Sequence, residues 1–193
     1  MFPLGRVLSD KLNKEKALIF RITHVRNVDW ILENGLPASS SAHKDPNFVS
    51  IGNEEIIRRR KRRSVPIGPG GTLDDYVPFY FTPFSIMMFN IHTGHGNIVR
   101  RSNDELVMLV SSLYQLQDLG VRFVFTDRHA YLQTAEFYED VGSIGEIDWD
   151  LLRRRDFAND PADPGKKERY QAEALVYRHV PVDRVGSSHD RVR

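Results

Sequence analysis

Apolar positions along this chain change period several times, and each change marks an element. "ALIFRITHV" (17–25) alternates, with Phe20 and Ile22 on one side and Arg21 and Thr23 on the other, which predicts a first core strand. In "RNVDWILENGL" the period lengthens: Val28, Ile31 and Leu32 recur at helical spacing, and Gly35 follows where a left-handed cap is wanted. A short helix behind the strand is expected there. The polar opening segment predicts another short helix, with Ser9 as its cap, and residues 37–49, small and polar, read as a loop.

"GNEEIIRRRKRRSVP" predicts a helix over 54–63 capped by Asn53, with Glu54 and Glu55 at the positive end of its dipole and Val65-Pro66 stopping it. "IGPGGTLDD" is a Gly/Pro-rich surface connection, and "YVPFYFTPF" an aromatic strand pinned between Pro78 and Pro83. "NIHTGHGNIVRRSND" reads as a polar loop, "ELVMLVSS" as a buried strand by its continuous apolar run, "LYQLQDLG" as a helix closed by Gly120, and "VRFVFTD" as a strand. "YLQTAEFYED" and "IDWDLLRRRDF" predict amphipathic helices, "ANDPADPGKKE" a solvated linker, and "RYQAEALVYRHV" the last strand, ended by Pro181. Strands and short helices mix without regular alternation, which favours an α+β fold over a doubly wound sheet.

Composition narrows this picture. A chain of 193 residues with 40% hydrophobic content suits one domain spanning 1–193. A formal net charge of +1 means that an anionic partner must be met by a local patch and not by the whole surface. Without cysteine there are no disulfides, thiolate zinc sites or cysteine nucleophiles. The start lacks an apolar signal region and no stretch reaches the roughly 18 apolar residues of a membrane span, so a soluble, cytoplasmic protein with no membrane partner is expected.

The local patch is the run of six bases from Arg58 to Arg63. On a helix, Arg60 lies four residues after Ile56 and three after Ile57, on the face those isoleucines would bury. A guanidinium drawn inward needs an anion, in a structural salt bridge or in an active site, unless the run is a solvated face with one arginine at its edge. The other bases suit phosphate contacts. In "ERYQAEALVY", strand spacing puts Gln171, Glu173, Leu175 and Tyr177 on one face; a carboxylate there is costly unless it is paired, used or solvated at an edge. Tyr80, sharing a face with Pro78 and Thr82, is the aromatic chosen for a ligand contact. His92 and His95 sit in a Gly-rich stretch without an acidic third ligand, which argues against zinc, and Asp127 before His129 reads as a helix cap more readily than as a metal ligand.

Taken together, "RITHVRNVDWILENGL", "IGNEEIIRRRKRRSVPIGPGGTLDDYVPFYFTPFSIMM", "FVFTDRHAY" and "RYQAEALVY" resemble the DarT family, toxins that ADP-ribosylate thymidine in single-stranded DNA using NAD. The resemblance implies an ADP-ribosyltransferase-like fold in which two small sheets form an NAD cleft. It places catalytic roles on Glu173 and Arg60, NAD contacts on Arg21, Thr23, His24 and Tyr80, and acceptor contacts on Gln171, with Arg59 and Arg63 toward the DNA. It further implies NAD as co-substrate, no metal, and a DarG-type macrodomain antitoxin as partner. Arg21 stands where some members carry His, and the ending "GSSHDRVR" departs from the family's further C-terminal elements, as a truncated or replaced tail would.

The chemistry suits the residues. Nicotinamide leaves as a neutral group, so one carboxylate suffices where a glycosidase needs two. A nucleophile on the pairing edge of a base is hidden in a duplex, so the substrate is single-stranded or flipped. The competing readings are transfer to RNA or protein, a silent nucleic-acid-binding module with a structural Glu173, and a metal-dependent nuclease using Asp127 and Glu136.

Overall fold

The computed structural model describes residues 9–182. In chain order its elements are β1 (Leu18–His24), α1 (Val28–Asn34), β2 (Leu36–Pro37), α2 (Glu54–Arg60), β3 (Tyr76–Tyr80), α3 (Ile86–Thr93), β4 (Leu106–Ser112), α4 (Leu113–Asp118), β5 (Phe123–Thr126), β6 (Phe137–Tyr138), α5 (Trp149–Arg154), α6 (Lys166–Arg169), β7 (Glu173–Tyr177) and β8 (His179–Val180). Six strands form one sheet in the order β4-β1-β3-β7-β5-β6, each pair antiparallel, and β2 pairs with β8 in a separate small sheet. This is the α+β arrangement that the patterning predicts, with two sheets of unequal size. Among the described residues no helix is long and apolar enough to cross a membrane.

β7 lies in the middle of the large sheet, and its alternation divides the interior in two. Ala174 and Val176 join Val77, Phe79, Phe123 and Phe125 in the main core, which α4 and α5 close with Leu113, Leu116, Trp149, Leu151 and Leu152. Leu175, on the opposite face, packs with Val65, Leu73, Tyr76, Val124 and Ala130 in a smaller cluster under the segment that follows α2. Each such side chain contributes about 1.5–3 kcal/mol of burial, so a one-residue slip of β7 would forfeit both clusters and turn Glu173 into the apolar core. The hydrophobic pattern thereby sets which way the carboxylate faces.

Several expectations are corrected. Among the described residues β4 is an edge strand with only β1 beside it, half-buried along its length, with Val110 56% exposed. "YLQTAEFYED" forms turns and β6 instead of a helix, because Asp127 exchanges bonds with Glu136 through both backbone and carboxylate and brings Phe137 and Tyr138 back onto β5. α3 carries helix through Thr93 into the expected loop; Ser85 caps its start and Gly94, at φ +74°, closes it. α2 stops at Arg60, three residues early, and Ser64 then bridges to Thr72. Ile56, expected to be buried with Arg60, is 41% exposed. The expected linker contains α6, whose Lys166 is buried against Asp156 at 2.8 Å. The last strand begins only at Glu173, and Arg178, at φ +64°, breaks it into β7 and β8. Ser9 is itself helical and its hydroxyl accepts from Arg155 Nε at 2.7 Å, but residues 10–16 form turns and a bend instead of the expected opening helix; residues 1–8 and "GSSHDRVR" lie outside the described residues.

Gly35 closes α1 at φ +76° and ψ −172°, a region only glycine occupies freely, and a Cβ there would stand 2.3 Å from His179 Nε2. Gly120 also has positive φ, at +66°, but has nothing within 4 Å of its added Cβ. In thermal unfolding, Gly35→Ala is expected to cost roughly 3 kcal/mol or more and Gly120→Ala about 1 kcal/mol; equal losses would contradict the close approach of β8 to α1.

Candidate active site

Asn53 starts α2 by accepting from the amides of Glu55 and Ile56, and the helix delivers Arg60 at its last turn. Register does the rest: Tyr80 of β3 stands beside Glu173 of β7, and Thr126 of β5 accepts from the Glu173 amide at 3.3 Å. Glu173 is 1% exposed, because β7 is an interior strand and not an edge. The solvated-edge reading of this carboxylate therefore fails.

Three donors hold it. Arg60 Nη1 donates to Oε2 at 2.8 Å, the Ala130 amide donates to Oε1 at 3.1 Å, and His129 Nδ1 lies 3.0 Å from Oε1. His129 Nδ1 is also 3.3 Å from the Tyr131 amide, but one nitrogen cannot donate and accept at once, and the shorter contact with an ionised oxygen selects the Nδ1–H form. Burial pushes the Glu173 carboxyl up, but the Arg60 charge and the His129 contact together outweigh burial and hold it at about 2. Below the ordinary 4.5, this value means that the pair's contribution to stability is complete above that pH and is lost as the pH falls towards 2. A carboxylate offers about four lone-pair positions, of which these donors fill all but one.

Around the carboxylate is a cavity of about 390 Å³, within the size range of small-molecule sites, lined mainly by apolar side chains. Arg21, Thr23, Arg60, Tyr80, Gln171 and Glu173 all line it, so six of the nine residues singled out in the sequence converge. Arg21 donates to the Pro78 carbonyl at 2.8 Å; burial, then the Arg60 charge, lower its guanidinium to about 10, which leaves it charged at neutral pH. Burial and the Glu173 charge push the Tyr80 hydroxyl up, so it stays protonated. Among the described residues, Arg21 Nε and Arg60 Nη2 are buried without a hydrogen-bond partner. Two guanidiniums against one carboxylate in the cavity wall favour an anion or a strong acceptor beside them.

The other three lie elsewhere. His24 is buried and does not line the cavity; it accepts from the Arg26 amide and faces Glu105 at 3.7 Å. Arg59 is exposed and pairs with Glu55. Arg63 turns away from the cavity, spends its donors on Ala130, Leu132 and Gln133, and lies over the Phe137 ring at 5.8 Å. It braces the loop that presents His129 and the Ala130 amide. Gln171 precedes β7 in a turn and donates to the Lys167 carbonyl. His129 is the site residue that sequence reading missed; "FTDRH" held the signal, a strand end beside a histidine, but only the β5–β7 register sets it against Glu173. Asp127, its rival in that motif, is engaged by Arg128 and the Glu136 amide.

Comparison with known proteins gives this geometry a family. A family model described as "ssDNA thymidine ADP-ribosyltransferase, DarT" matches residues 20–187. A DNA ADP-ribosyl transferase of Escherichia coli O127:H6 is 53% identical over 174 residues, which are 90% of this chain and 80% of that protein. Among solved structures, Thermus sp. 2.9 DarT in complex with ADP-ribosylated ssDNA superposes with a TM-score of 0.78 at 37% identity, over 86% of this chain and 78% of that one. The same Thermus protein in complex with NAD+ gives 0.74 at 36% identity with equal coverage. With a model match over most of its length and a relative identical at more than half of the aligned positions, the chain belongs to the DarT family of single-stranded-DNA thymidine ADP-ribosyltransferases.

Proposed function

We propose that this chain, acting as one domain, transfers ADP-ribose from NAD to thymine bases of single-stranded DNA, with Glu173 and Arg60 as its catalytic residues. The observation that carries the assignment is the buried, ionised Glu173, with one acceptor position left, in the wall of a cavity that Arg21 and Arg60 also line. The Thermus relative's complexes with NAD+ and with ADP-ribosylated ssDNA support the substrate pair.

In the reaction the bond between the ribose C1′ and the nicotinamide nitrogen breaks, and nicotinamide departs neutral with the bonding pair. The free position on Glu173 accepts a hydroxyl of that ribose, and its charge favours the oxocarbenium-like transition state. The thymine imide nitrogen loses its proton and forms the new bond to C1′. Glu173, with three donors and the ribose hydroxyl on its oxygens, has no acceptor position left for that proton. His129, whose Nδ1–H is committed to Glu173, keeps a bare Nε2 for it, and Glu173 then stabilises the imidazolium. Arg60, whose side chain lines the cavity, takes the charge that develops on the base carbonyls, and Arg21 adds to the same field. Thr23 and Tyr80 line the NAD side, with His24 buried next to Thr23 in β1 and Gln171 at the acceptor side.

Arg58, Lys61 and Arg62 are exposed, next to Arg60, and suit the phosphates of a strand whose base enters the cavity; Arg59, also exposed, lies among them, and Arg63 follows Arg62. The protein acts in the cytoplasm as the toxin of a pair whose antitoxin is a DarG-type macrodomain that removes the modification. Transfer to RNA or protein is separated from this reading by the acceptor.

Intact-mass analysis of thymine-containing and thymine-free single strands, incubated with protein and NAD, is expected to give one added ADP-ribose only with thymine. Glu173→Gln and Arg60→Ala should each slow the reaction by about 10²- to 10³-fold, and Arg58→Ala or Lys61→Ala by only a few fold; comparable losses from all four would refute the roles. His129→Gln keeps a donor for Glu173 without a basic nitrogen. It should lower kcat by about 10²-fold or more with the KM for NAD little changed, and a wild-type kcat in this variant would remove the proton-transfer role.

A further inference from the structure

Residues 38–53 run without helix or strand from β2 to α2, yet Lys44, Asp45, Phe48, Ser50, Ile51 and Gly52 line the cavity. Near its start the segment is tied down through Ser40, whose amide reaches the Asp74 carbonyl and whose hydroxyl reaches Asp75. At its end Asn53 donates to the Gly96 carbonyl. Between Ser41 and Gly52 the bonds of Ser41, Lys44 and Asp45 stay within the segment. Among the described residues, the hydrogen bonds that tie this stretch to the rest of the protein are both made by one side chain, Asn27: its Oδ1 accepts from the Val49 amide at 2.8 Å and its Nδ2 donates to the Val49 carbonyl at 3.0 Å.

Asn27 has no exposed surface, and it spends its second Nδ2 proton on the Thr23 hydroxyl at 3.1 Å. One amide thus sets two walls of the site, the backbone of the cavity loop and the orientation of a hydroxyl at the end of β1. A buried amide with both donors and its acceptor committed resists displacement, because breaking any one bond leaves a polar atom dry. It touches neither the carboxylate nor the guanidiniums.

We propose that Asn27 is a positioning residue for the NAD site: it holds the 44–52 loop and Thr23 in the arrangement that binds the dinucleotide, and so governs its affinity and not the chemical step. This rests on the cavity being the NAD site. Asn27→Ala should raise the KM for NAD about tenfold while kcat on a thymine oligonucleotide changes by less than about twofold, the scale expected for losing a buried hydrogen-bonded pin. In hydrogen exchange, amides of 44–52 should lose protection in that variant while those of β1, β3 and β7 keep theirs.

Asn27→Asp retains the acceptor for the Val49 amide but can donate to the Val49 carbonyl only when protonated. Its KM relative to wild type should fall as the pH is lowered, whereas the ratio for Asn27→Ala stays flat. This variant also carries the test if Asn27→Ala does not fold. An unchanged KM in folded variants, or protection lost across the whole sheet, would overturn the proposal. Normal wild-type turnover with the loop loosened but KM unmoved would overturn it alone, while wild-type protein that consumes no NAD would remove the site reading and the proposal with it.

Discussion

Everything at the site depends on one buried ion pair, between Arg60 on a short helix and Glu173 on an interior strand 113 residues later. Such pairs are poor sources of stability: desolvating both ions offsets most of their attraction, and a well-packed apolar pair of similar volume would serve the fold as well. Losing one member is another matter, since it leaves a bare charge inside and costs about 3–5 kcal/mol. The fold is therefore committed to the pair without being held together by it. What the arrangement provides is a carboxylate that stays ionised where water hardly reaches.

The surroundings follow from that commitment. The two core clusters on either face of β7 fix its register and so the direction of Glu173. The basic run divides its labour: Arg60 meets the carboxylate, and Arg63 ties the end of α2 to the loop that supplies His129 and the Ala130 amide. One holds the carboxylate itself, the other the loop that brings its further donors. Arg21 and Arg60 stand with one carboxylate in the cavity wall, and that excess of positive charge favours an anionic guest.

Much of this was legible in the chain, and for physical reasons. Arg60 could be separated from its five basic neighbours because helical spacing sends one position of a run inward, even though the isoleucines invoked as its companions line the cavity and are not buried. Glu173 stood out as a carboxylate within an apolar strand. His129 and Asn27 did not, since each acts through a neighbour that only strand order or a long loop brings near: β5 beside β7 in one case, Val49 in the other. β4 reads as an interior strand because a continuous apolar run looks the same at an edge, and β6 reads as helix because its pairing with β5 overrides a helical pattern.

The ionised state of Glu173 can be measured directly by following its side-chain carboxyl carbon by NMR as the pH is lowered, in wild type and in Arg60→Met. The expected result is a carboxylate that stays ionised until the pH nears about 2 in wild type and that titrates at clearly higher pH once Arg60 is gone, because burial is then opposed by the His129 contact without the Arg60 charge. An ordinary titration near 4.5 in wild type, unmoved by the substitution, would contradict the pairing on which the site is built.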